Sequence, residues 1–210
     1  MAQQQPYRLG ARWVGTIGQA PGTGVPPIVE MVVASNNTAG LFRGDFLELQ
    51  TGGTVYPSTV GDGSYPHLSY VMDSVKQYLG SDGVVRKGTF LPKETTYTGV
   101  TAATNPLASI VLCIPVTNQM FALAVPTAEA TATAATGKIG KCIDIGVGSG
   151  GSTVTGLSSM TAGTTFEGSG GSAQLRLERI PTYGLNGAMN DPTKTYWEGW
   201  FSAYETLVTV

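Results

Sequence analysis

From residue 13 onward, short apolar runs alternate with Gly, Pro and Asn, the spacing expected of successive strands joined by turns. The early runs are 28–33 (IVEMVV), 41–42 before Gly44, and 46–49 (FLEL). In the last of these the two-residue period turns Phe46 and Glu48 one way, Leu47 and Leu49 the other. After short runs at 84–85 and 89–91 comes the most apolar part of the chain, 110–116 (IVLCIPV) and 120–125 (MFALAV). The connector 117–119 has hairpin length, so the pair reads as the central hairpin of the core. Pro115 cannot donate to a ladder, which predicts an edge position or a bulge at that point.

One stretch carries the other periodicity. Between 66 and 79, Leu68, Val71, Met72, Val75, Tyr78 and Leu79 recur at three- and four-residue spacing, with Ser64 and Pro66 at the start and Gly80 beyond the end. This predicts a helix over 66–79. Residues 127–136 (TAEATATAAT) fit a short helix capped by Thr127 and a loop equally well. A strand over 141–145 leads into a Gly/Ser/Thr-rich region, 146–172, which is either a surface loop or a set of short strands ordered by partners. Residues 174–180 (QLRLERI) alternate as a half-buried strand, Leu175 and Leu177 inward and Arg176 and Glu178 outward. At 196–210 a strand would put Tyr196, Trp200 and Tyr204 on one face and Trp197 and Phe201 on the other. Both faces then need burial, in a core or at a subunit interface. Residues 1–12 are Gln-rich and aperiodic and read as an extended N-terminal arm. The whole reads as mainly β: a barrel- or sandwich-like single domain over 13–210 with one or two short helices, preceded by the arm.

Composition narrows the function. Only 12% of the 210 residues are charged and 29 are Gly, so the surface is unusually neutral. A net charge of −2 with 12 dispersed Lys and Arg gives no footprint for a phosphate backbone, so no nucleic-acid partner is expected. The start MAQQQPYRLG lacks the basic residues and apolar run expected of a signal peptide, and no apolar stretch nears the length of a membrane span. A soluble chain made in the cytosol, with no membrane partner, is the expectation.

Candidate chemistry is sparse. His67 is the only histidine, which rules out a multi-histidine metal centre, and no G-x-S-x-G elbow is present to build a hydrolase nucleophile. Cys113 and Cys142 lie in apolar, strand-like runs and read as small buried hydrophobes. Gly146, Gly148 and Gly151 spell G-x-G-x-x-G after a strand, but the following Ser152, Thr153, Val154 and Thr155 are poor helix material, so a Gly-rich loop is the better reading than a dinucleotide cradle. Asp62-Gly63 and Asp82-Gly83 read as turns, Asp73 as the polar side of the helix, and Asn36-Asn37-Thr38 as a turn. No catalytic, cofactor or metal residues are assigned, and an assembly component is favoured over an enzyme.

Several segments in order carry a resemblance: Y-R-L-G-A-R-W-V-G-T (7–16), L-F-R-G-D-F-L-E-L (41–49), G-V-V-R-K-G-T-F-L-P (83–92) and V-G-S-G-G-S-T-V-T-G-L-S-S-M (147–160) before Q-L-R-L-E-R-I. Together they resemble the capsid decoration, or cement, proteins of tailed bacteriophages. The resemblance implies a β-rich homotrimer, made in the host cytoplasm, that binds the major capsid protein on the outer surface of the virion and reinforces the shell. It places Tyr7, Arg8, Arg12 and Trp13 at the capsid contact, and Trp197, Trp200, Phe201 and Tyr204 in a core or oligomer strand. The alternatives are a tail or connector protein, and a surface glycan-binding β domain with Trp197 and Trp200 as an exposed platform.

Overall fold

β-Branched and aromatic residues at alternating positions build two sheets, described here by a computed structural model for residues 10–20, 22–34, 37, 39–58, 68–79, 84–92, 109–146, 150–167 and 173–204. The first sheet is antiparallel throughout. Its order is β1 (Arg12–Thr16), β8 (Gln119–Val125), β11 (Trp197–Ala203), β10 (Leu175–Arg179) and β9 (Cys142–Ile143). The second runs β3 (Phe46–Leu49), β4 (Thr54–Pro57), β2 (Val29–Val33), β7 (Ile110–Pro115), β5 (Leu68–Leu79) and β6 (Val85–Arg86). Among the described residues its only parallel pair is β2 with β4, and β3 also pairs with β5, so five of its strands close into a ring. The mainly β, sandwich-like architecture expected from the sequence is the one observed.

Two cores follow from that closure. Inside the ring lie Val33, Leu41, Leu47, Val55, Met72, Leu91, Val111 and Cys113. The ring's outer wall offers Phe46, Leu68, Val71, Ile114 and Val116 to the inner face of the first sheet, where Phe121, Leu123, Leu175, Leu177, Trp197 and Phe201 meet them. Phe46 and Phe121 touch edge to face, 5.9 Å between centroids. Phe46 thus faces the first sheet and Leu47 the ring, as the two-residue period required.

The helix expected over 66–79 is instead β5, a strand of twelve residues from Leu68 to Leu79. Residues 59–67 and 80–83, with the expected capping signals, His67 and both Asp-Gly turns, lie outside the described residues. The misleading period has a physical source. The register against β7 skips between Met72 and Ser74 and again between Val75 and Gln77, leaving Asp73 and Lys76 unmatched. Each inserted residue stretches the inward spacing from two to three, so Met72, Val75 and Tyr78 all face the ring.

The expected central hairpin is also corrected. β7 belongs to the ring and β8 to the first sheet, so 116–118 form an arch between sheets, with Asn118 in the left-handed region at φ 58°. Both faces of each run are needed in cores, which a hairpin with one wet face would not provide. Pro115 ends β7, opposite Tyr70 of β5 and two residues past the last pairing with β2 at Cys113, so the strand is central but that side of it is no longer paired at the proline. The one helix among the described residues, α1 (Ala132–Thr136), is capped by Thr131, whose hydroxyl accepts from Ala134 N, rather than by Thr127. Part of the Gly/Ser/Thr region is ordered by bridges within the chain, Ile145 to Ala162 and Gly151 to Ser158 among them.

Candidate functional site

Three charged residues line one cleft of about 280 Å³, Arg12 of β1, Asp73 of β5 and Arg43 from a loop, beside Trp13 of β1, Ile114 of β7 and Leu157. Arg43 Nη2 donates to Asp73 Oδ1 at 3.1 Å, an exposed pair. Arg12 Nη2 donates to Glu198 Oε2 at 2.6 Å, and Glu198 is buried. Its carboxylate also accepts from Trp200 Nε1 at 3.0 Å and from Leu185 N at 3.2 Å. Asn190 clamps the backbone of the same residue, accepting from Glu198 N and donating to Glu198 O. The network holds the turn at 183–189 against β11, so Tyr183 and Met189 are presented outward on a pinned backbone.

The floor of the cleft is a knot of three segments around Asp45. Gly10 N donates to Met160 O and Ala11 N to Gly44 O, which fixes the entry to β1. Arg43 N reaches Gly156 O, Ser158 N reaches Arg43 O, and Gly44 N and Met72 O join the loop to β5. Gly44 sits at φ 94°, and a Cβ there would lie 2.9 Å from Ala11 N and O, so only glycine lets these backbones meet. Asp45 Oδ1 accepts from Ser158 Oγ at 2.5 Å and Oδ2 from Phe42 N at 2.8 Å, while Ser158 Oγ accepts from Met160 N. Burial pushes the Asp45 carboxyl up to about 7, against the lowering by Ser158 and by the Phe42 amide.

Of the residues assigned to a capsid contact, Tyr7 and Arg8 lie outside the described residues, while Arg12 and Trp13 are part of β1 itself. Trp13 packs on the inter-sheet core and donates from Nε1 to Gln119 Oε1 at 2.7 Å. The arm read as 1–12 is therefore corrected: the domain already grips Gly10, buries Ala11 and pairs Arg12. Trp197 and Phe201 fill the large core, and Trp200 packs behind β11 on Val14, Met120 and Ala122 under the Arg179 guanidinium. Trp197 and Trp200 are buried, so they form no exposed platform; Tyr204, half-buried, closes the run. Cys113 and Cys142 are buried free thiols, with burial pushing Cys113 up to about 12. Gly148 lies outside the described residues, and Gly146 and Gly151 serve close backbone approach to Ala162 and Leu157. Among the described residues no three His, Cys, Asp or Glu side chains gather as a metal site would need.

Asp45, Ser158, Glu198 and Asn190 had no signal in the sequence, because each owes its role to a partner far along the chain. The sole local hint is Gly44 before Asp45, a tight-turn residue placed directly ahead of an apolar strand. Comparison of the chain with known protein families, with curated proteins and with solved structures finds no match.

Proposed function

We propose that this chain is a structural virion protein, a decoration or cement protein that binds the outside of a tailed-phage capsid and reinforces the shell. The observation that carries the reading is the anchoring of Gly10 and Ala11, by backbone bonds to Met160 and Gly44, beside the cleft that Ala11 lines. Tyr7 and Arg8, in the first of the resembling segments, stand immediately before that anchor. A short leader fastened at a fixed point can pair with strands of a neighbouring subunit while the domain stays rigid. Repeated copies, arranged as a homotrimer, would multiply modest single contacts with the major capsid protein. The low charge of the surface fits a role in close packing rather than in steering a charged ligand.

The test uses the full chain and a chain beginning at Gly10. Light scattering is expected to give the same trimer mass for both. On sedimentation with the heads of the phage whose genome carries the gene, only the full chain is expected to pellet. Monomers in both cases, or tubes formed without heads, would overturn the reading and favour a tail or connector role.

A further inference from the structure

We propose that Asp45 is a proton-controlled latch: neutral, it locks the entry to β1, the loop 41–45 and the segment 156–160 together, and ionised, it loosens them and opens the cleft they floor. The inference does not depend on the assembly role.

The geometry carries it. The three segments meet through backbone bonds, Gly10 N to Met160 O at 2.8 Å, Ala11 N to Gly44 O at 2.9 Å and Ser158 N to Arg43 O at 2.9 Å. The Asp45 side chain ties its own loop, through Phe42 N, to the segment 156–160, through Ser158 Oγ, and it is wholly buried. Ser158 in turn accepts from Met160 N, whose carbonyl holds Gly10. The groups pressing on Asp45 include no cation. Arg43 turns its guanidinium to Asp73, Arg12 is engaged by Glu198, and 156–160 contains no charged residue. Glu48 on β3, with Asp73 and Lys76 on β5, are the remaining charges on elements packed there; Lys76 is paired with Glu30, and none of the three contributes to the shift of Asp45. A buried carboxylate with no counter-charge favours a conformation that admits water once it ionises. Opening leaves the sheet ladders paired, because the knot consists of hydrogen bonds between loop segments.

Hydrogen exchange of the full chain, followed by mass spectrometry from pH 6 to pH 8.5 and corrected for intrinsic rates, tests this. Peptides covering 10–14, 41–46 and 156–161 are expected to lose about tenfold in protection across that interval. Peptides from β8 and β11 are expected to hold theirs. Asp45→Asn is expected to abolish the pH dependence in the three segments. Ser158→Ala removes a donor to the ionised form and is expected to move the midpoint to higher pH. Flat protection in the wild type, an unchanged profile in Asp45→Asn, or an unmoved midpoint in Ser158→Ala each overturns the latch. Should Asp45→Asn fail to fold, the wild-type and Ser158→Ala profiles decide it.

Discussion

A carboxylate that has only a hydroxyl and one amide for company is costly to keep ionised, and Asp45 makes that cost visible in the stability of the fold. Its folded value of about 7 lies above the ordinary carboxylate range, so between the two the native state binds more protons than the unfolded chain. The stability this group contributes is complete at pH 4 and below, and is lost as pH rises to about 7. Urea unfolding is expected to show a loss on the order of 4 kcal/mol between pH 4 and pH 8. In Asp45→Asn that loss should vanish; an identical pH profile in both proteins would refute the assignment. Glu198 poses the opposite case, an ionic group fully served by Arg12, Trp200 and the Leu185 amide. Glu198→Ala leaves the Arg12 guanidinium uncompensated and is expected to cost about 3–5 kcal/mol in chemical denaturation. Pairing Arg12→Met with Glu198→Leu should recover much of that, because no buried charge then remains.

At the scale of elements, β10 and β11 were legible because Leu175 and Leu177 alternate with charged residues and share one face with Trp197 and Phe201, the extra residue of β10 falling only after Leu177. β5 was not legible, because its inserted residues imitate a helical period. The inserted residues are the charged ones, Asp73 paired with Arg43 and Lys76 with Glu30 on the ring's surface, so the apolar positions alone read three apart. The arch between β7 and β8 was hidden for a related reason: a three-residue connector is the same length whether the strands share a sheet or face each other from two. The sheet assignment depends on β5 and β11, far away in sequence, as partners. Because Lys76 is the extra residue of a bulge, Lys76→Ala removes only an exposed ion pair and should cost no more than about 1 kcal/mol. Deleting Lys76 altogether slips the rest of β5 by one position and turns Tyr78 out of the ring. A drop in melting temperature on deletion far larger than for Lys76→Ala is the expected outcome; equal small drops would mean that this part of β5 is not register-bound.

On the scale of the whole molecule, the two cores share one wall, and β1 closes the open edge of β8 beside it. Where the domain begins therefore decides what may be removed from it. A chain starting at Gly10 keeps the bonds to Met160 and Gly44, the Arg12 pair and the Trp13 bond to Gln119. Its melting temperature should lie within about 3 °C of that of the full chain, a change below about 1 kcal/mol. A chain starting at Ile17 loses β1, exposes Met120 and Ala122, and strands the Glu198 carboxylate without its arginine. That protein is expected to melt at least about 10 °C lower or to be recovered unfolded, since cavity, edge and charge penalties fall on one sheet together. The pair of truncations separates two properties that a single deletion would confuse. If the shorter cut spares folding but ends attachment to heads, the first nine residues act on a partner. If it already destabilises the domain, those residues belong to the fold, and the contact with a shell must be sought elsewhere on the surface.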